Sequence, residues 1–176
     1  MDTSSTIIET DRLRLKAMTP EYVEDIFREF TPAITTYMMP KPAQTIDETV
    51  AFVEQSIKKN KEGSNLQVVI LNKITGEFFG CAGVHHMNTK TPALGIWVKK
   101  SAHGHGYGKE AVIALKKWTD QHVSYDYIIY PVAQENQPSR RIPESLGGEV
   151  AREYEEVNMS GKQQHLLEYR IYPPKK

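Results

Sequence analysis

Between an apolar run that ends at Val98 and a helical pattern that begins at Lys109, the chain reads His103, Gly104, His105, Gly106, Tyr107, Gly108. Glycine strips the backbone of side chains and permits positive φ, while a helix start presents unpaired N–H groups at the positive end of its macrodipole. A strand, a glycine-rich turn and a helix start in that order make an anion site suited to phosphates. As a Walker A loop the stretch fails twice, since His103 stands where that motif needs glycine and Glu110 where it needs Ser or Thr. It matches a nicotinamide-dinucleotide fingerprint formally, as Gly106-x-Gly108-x-x-Ala111. That match has little behind it: the strand-like YIIYPV that follows meets no carboxylate before Glu135, and too little chain remains for a second mononucleotide half.

Further on, ENQPSRRIPESLGG places Asn136, Ser139 and Arg141 ahead of Leu146-Gly147. Asn and Ser suit a helix cap as well as a polar contact. His85 and His86 close an earlier strand, where alternation turns them to opposite sides, and imidazole titrates in the range useful for proton relay. The close spacing of His85 with His86 at a strand end and of His103 with His105 in a loop does not by itself converge ligands, so no metal site is expected.

These residues need elements to hold them. Leu13 and Leu15 alternate with Arg12, Arg14 and Lys16, a half-buried strand; Thr19-Pro20 then punctuates a helix through Tyr22, Val23, Ile26, Phe27 and Phe30. Residues 31–44 carry three prolines and read as an irregular segment able to line a site. Thr45 and Glu48 form a capping-box pair for a second helix that ends near Gly63. A hairpin follows, Leu66 to Leu71 and Glu77 to Val84, then a short strand Gly95 to Val98, the helix with Ala111, Val112, Leu115 and Trp118 on one face, the strand at 127–132, a short helix at 136–146 and strands near 149–157 and 166–172. Helices both before and between strands predict an α+β or mixed α/β class around one central sheet.

A chain of 176 residues suits one domain over 1–176, with a core of about 10–172. Lys plus Arg equals Asp plus Glu at 22 each, so no global field recruits nucleic acid or a membrane surface, and any anion must be held locally. No apolar stretch approaches the ~20 residues of a bilayer span. The start MDTSSTIIETDR lacks the features of a signal peptide, and Cys81 is the lone cysteine, which together predict the reducing cytoplasm.

The glycine stretch resembles the acetyl-CoA motif of the GNAT N-acetyltransferases, Gln/Arg-x-x-Gly-x-Gly/Ala, with His103 in the first position and Gly106 and Gly108 in place. The later stretch resembles the Asn-x-x-Ser-x-Arg...Leu-Gly pattern of the Rim-type ribosomal-protein branch, and ETDRLRLKAMTPEYVEDIF resembles that branch's opening strand and helix, so the similarity runs from Thr10 to Tyr172. Departures are Leu94 where relatives commonly carry Glu, Pro143 where they continue a helix, and Gly148 in place of an aromatic.

The resemblance implies a central, mostly antiparallel mixed sheet flanked by helices, and acetyl transfer from acetyl-CoA to a primary amine, either a protein N-terminus or a small amine. It implies that His103, Gly104, His105, Gly106, Tyr107 and Gly108 take the pyrophosphate and that Ile96 and Val98 pair with the pantetheine arm. Asn136, Ser139 and Arg141 would complete the cofactor site. Ser139 near the thioester sulfur and His86 as a proton relay are the candidate catalytic residues, and Tyr37, Met38 and Met39 would help wall the acceptor site. A non-catalytic acyl-CoA-binding module on the same fold is the alternative. A homodimer is left open.

Overall fold

Alternation decides the first long strand. Leu13, Leu15 and Ala17 are buried while Arg14 is exposed, so the segment lies flat on a core. The computed structural model describes residues 1–176. Eight strands, β1 (Ile7–Glu9), β2 (Leu13–Ala17), β3 (Leu66–Asn72), β4 (Phe78–His85), β5 (Ala93–Val98), β6 (Ile128–Ala133), β7 (Glu149–Val157) and β8 (Gln163–Ile171), form one sheet in the order β1-β2-β3-β4-β5-β6-β8-β7. All neighbours are antiparallel except β5 and β6. The class is therefore α+β, with a mixed and mostly antiparallel sheet, and the doubly wound parallel sheet of a dinucleotide fold is absent.

Five helices cover the sheet: α1 (Val23–Glu29), α2 (Pro32–Thr35), α3 (Ile46–Glu62), α4 (Tyr107–His122) and α5 (Gln137–Ser145). On one face Val112 and Leu115 of α4 and Ile142 of α5 join Leu15, Val68, Val84, Ile128 and Ile171 in the larger core. On the other, Ile26 of α1 and Val53 of α3 cover Val69, Leu71, Phe78 and Cys81. No helix is long and apolar enough to cross a membrane.

Local chemistry differs from expectation at several ends. The irregular segment 31–44 contains the one-turn α2, and β1 pairs with β2 ahead of the first expected strand. Thr45 makes no side-chain cap; Glu48 instead takes the Gln44 N–H at 2.9 Å, one residue earlier than a capping box would. Pro143 lies inside α5, which continues to Ser145 and closes with Leu146 N–H donating to Pro143 O at 3.0 Å and Gly148 N–H to the same carbonyl at 2.8 Å.

One proline shapes the site. Ile129 N–H donates to Pro92 O at 2.8 Å, and Ala93 opposite Ile129 is the one paired register between β5 and β6. A parallel ladder would next need the N–H of residue 131, and Pro131 has none. Pairing stops there and the two strands diverge. By alternation from Pro92, the N–H and C=O groups of Ile96 and Val98 face the gap, whereas Lys99 N–H turns the other way to Phe79 O at 2.7 Å.

Candidate active site

At the mouth of the gap, β5 runs through one turn of 3₁₀ helix at Lys100–Ala102 into the glycine stretch and α4. From Gly104 to Lys109 no backbone N–H finds an acceptor within the protein, and the next, Glu110 N–H, closes onto Gly106 O at 3.1 Å. The run includes the orphan donors of the helix start, so the macrodipole adds to them. Gly104 and Gly106 hold φ of 84° and 76°, which the glycine permits. Gly108 has ordinary φ and sits beside Ile142, Val98 and Ile96, where even a Cβ would make normal contacts at 3.7 to 3.8 Å.

The loop is braced from outside. Glu110 accepts from Thr10 Oγ1 at 2.6 Å and from Arg12 Nε at 2.8 Å, tying the β1–β2 turn to the first turn of α4. The Arg12 guanidinium lies 4.7 Å over the Tyr107 ring, whose centroid is 4.4 Å from that of Phe79. His105 stacks on Tyr107 at 5.3 Å and is exposed. His103 donates from Nε2 to Val98 O at 2.6 Å, so its ring covers the last carbonyl of the open edge.

Inside the gap lies a cavity of about 300 Å³ walled by Leu94 and Ile96 of β5, Tyr130 and Val132 of β6, and Asn136 and Ser139 of α5. Asn136 caps α5 by accepting Ser139 N–H at 3.4 Å and still lines the cavity. Ser139 Oγ lies 2.7 Å from Tyr130 Oη. Burial pushes the Tyr130 phenol up to about 12, against a smaller lowering by Ser139, so it stays protonated at neutral pH. Arg141 is exposed with no hydrogen bond or ion pair to the protein, and it does not line this cavity.

A second cavity, about 410 Å³, opens on the α1 and α3 face and shares Gly95, Ile96 and Met38 with the first. Phe30, Phe52 and Trp97 form apolar walls, and Trp97 also packs on Phe30 and Phe78 at 5.0 and 5.9 Å, so it is both core and lining. Tyr37, Met38 and Met39 line the first cavity and Met38 the second.

The histidine pair is divided between solvent and cavity. His86 is exposed, has φ of 58° just past the end of β4, and lines neither cavity, because the chain turns out of the sheet there. His85, the last strand residue, is the one turned into the second cavity. Burial pushes its imidazole down to about 4, helped by the nearby positive charges of His86 and Lys59. No group of three or more His, Cys, Asp or Glu is placed to hold a metal ion. Two contributors left little or no trace in the sequence: Tyr130, whose only signal is its place two residues before Val132 on the same strand face, and the Thr10–Arg12–Glu110 brace, which joins residues about a hundred positions apart.

Residues 12–149 match the family model described as an acetyltransferase (GNAT) domain. No curated protein matches the chain by sequence. Among solved structures, RimL, a ribosomal-protein alpha-N-acetyltransferase in complex with coenzyme A, superposes with a TM-score of 0.83 at 16% identity over 96% of this chain and 98% of that one. A Salmonella typhimurium acetyltransferase that modifies the N-terminal serine of a ribosomal subunit protein gives 0.82 at 16% identity, covering 96% and 100%. The microcin self-immunity acetyltransferase MccE, in complex with acetyl-CoA and AMP, gives 0.81 at 19% identity, covering 93% of each chain.

Proposed function

The chain belongs to the GNAT acetyltransferase family, and from that premise we propose that it transfers the acetyl group of acetyl-CoA to a primary amine, acting as one domain in the cytoplasm. The observation that carries the reading is the row of free N–H groups from Gly104 to Lys109 at the mouth of the gap that Pro131 opens between β5 and β6. The cofactor fits these residues: the loop presents donors for a pyrophosphate, and Ile96 offers an unpaired edge for amide groups of a pantetheine arm. Arg141, exposed and without a partner in the protein, lines neither cavity, so the loop N–H groups rather than this side chain carry the phosphate reading.

Bound in the gap, acetyl-CoA would supply a thioester carbonyl as the electrophile. The Ile96 N–H on the open edge donates toward an oxygen lying along β5, which stabilises negative charge developing there. Ser139 holds a hydroxyl in the same cavity as a donor for a departing thiolate, and Tyr130 is hydrogen-bonded to Ser139. The amine enters through the larger cavity, and Gly95 and Ile96, shared by both, mark where the two reactants meet. RimL, an alpha-N-protein acetyltransferase, supports a protein N-terminus as acceptor, and MccE, which holds AMP together with acetyl-CoA, supports a small molecule.

A panel of peptides and small amines assayed by free-thiol release from acetyl-CoA, beside calorimetric titration with CoA, tests the reading. CoA binding with acetyl transfer to at least one amine is expected. CoA binding without transfer to any acceptor would support the non-catalytic module instead, and no CoA binding would overturn both.

A further inference from the structure

His85 has its protonation fixed by its neighbours. Asn65 Oδ1 accepts the His86 N–H at 3.1 Å, which settles the orientation of that amide and presents Nδ2 to His85 Nδ1 at 3.3 Å. Gln67 Nε2 lies 3.2 Å from the same ring nitrogen. Amide nitrogens only donate, so Nδ1 is the acceptor and carries no proton; a neutral imidazole then carries its single proton on Nε2. The ionisable groups around the ring are His86 and Lys59, with Lys41 and Glu48 on the cavity wall, and no carboxylate bonds the ring to favour an imidazolium.

The direction of Nε2 gives this tautomer a use. It stands over Gly95, so close that a Cβ there would lie 3.2 Å from it, and Gly95 is common to both cavities. A general base would need a lone pair at this point, and the ring presents a proton.

We infer that His85 is a fixed hydrogen-bond donor to the acceptor substrate rather than its base, and that the acceptor therefore carries an oxygen close to its amine, as an α-amino amide or an amino alcohol does, on an apolar body. Phe30, Phe52 and Trp97 wall the space for that body. This rests on the acetyl-transfer reading above. The amine proton leaves to water, and the oxygen beside the amine holds the nucleophile over Gly95. A simple alkyl or aryl amine leaves the half-buried donor without a partner, which is how a site built for an oxygen rejects its absence.

Three acceptors with one apolar body separate the cases: phenylalaninamide, phenylalaninol and 2-phenylethylamine. The wild type is expected to prefer both oxygen-bearing amines by about tenfold or more in kcat/KM. His85→Leu should erase the preference, chiefly through KM, whereas His85→Gln, which keeps an N–H donor and has no basic nitrogen, should retain most of it with the same pH profile. The amide preferred over the alcohol points to peptide N-termini; the reverse points to small amino alcohols. His85→Gln as impaired as His85→Leu, with a limb missing from its pH profile, makes His85 a base and overturns the inference. So does a wild type without preference, or one that binds CoA but acetylates none of the three. A wild type that binds no CoA overturns the acetyltransferase reading itself. Nitrogen NMR of the unliganded wild type gives an answer independent of turnover: from about pH 6 to about pH 8, Nε2 should carry the proton, and a proton on Nδ1 sinks the proposal.

Discussion

Tyr130 and Ser139 meet at 2.7 Å inside the gap between β5 and β6, a strand side chain and a helix side chain joined at the wall of one cavity. The phenol is buried and keeps its proton, and donating it to the serine would leave the serine hydroxyl free to donate into the cavity. Acting in series, the two should behave as a unit. Ser139→Ala is expected to lower kcat by about 10- to 100-fold and Tyr130→Phe by less, with the double variant no worse than Ser139→Ala alone. Steady-state kinetics on all three variants checks this, and additive losses would mean the hydroxyls act separately.

The glycine loop separates conformation from ligand approach. Gly106 holds φ of 76°, and a Cβ at that position would meet nothing nearer than Arg12 Nη2 at 3.6 Å, so Gly106→Ala encounters backbone strain rather than a clash. A cost of about 1 to 2 kcal/mol is expected. Gly76, at the same φ of 76° in the distant β3–β4 turn, should cost a similar amount as Gly76→Ala. The two variants should part on CoA: calorimetric titration should show about tenfold or greater weakening for Gly106→Ala and none for Gly76→Ala, because only the first disturbs the free N–H row. Gly108→Ala, with ordinary φ and room for a methyl, should change neither property.

Periodicity made most elements legible. Leu13 and Leu15, the hairpin from Leu66 and the face of Ala111, Val112 and Leu115 are buried as their spacing requires. The glycine stretch was legible too, since its φ values and free N–H groups follow from local sequence. What depends on distant partners was hidden. Whether His85 or His86 enters the site turns on the backbone leaving the sheet at His86 and on Asn65 reaching across from the start of β3. Pro131 looked like any residue of a strand, and its effect appears only once β6 is known to lie beside β5 in parallel register. Asn136 could be assigned neither to a cap nor to the cavity from sequence, and it serves both.

His85 also sets an acid limit to stability. Its imidazole is pushed from an ordinary value of 6.5 down to about 4, burial being the main cause. Between those values the unfolded chain binds a proton that the folded chain refuses, so stability is full above about pH 6.5 and falls as pH drops toward about pH 4. The contribution is about 3 kcal/mol at most. Denaturant midpoints measured across that window should fall more steeply for the wild type than for His85→Gln, which has no proton to gain. Parallel slopes would place the acid sensitivity in the carboxylates.

Gly148 stands where the resembling family carries an aromatic, and the fold explains the exchange. The chain closes α5 by donating Gly148 N–H to Pro143 O at 2.8 Å, which brings the residue against the helix end. A Cβ at 148 would lie 2.8 Å from Pro143 O and 3.1 Å from Cγ1 of the fully buried Ile171. The first contact is with backbone that Pro143 already constrains, and the second with a core side chain of β8, so neither yields without moving α5. Gly148→Ala should therefore destabilise the protein by about 1 to 3 kcal/mol, and Gly148→Trp by more, through overpacking. Because α5 carries Asn136 at its cap and Ser139 in its first turn, its displacement should reach the chemistry. In Gly148→Ala, kcat should fall alongside the unfolding midpoint, while CoA affinity, set largely by the loop on α4, should hold. A variant with wild-type stability would show that α5 tolerates the close approach by shifting, and an aromatic could then be accommodated there.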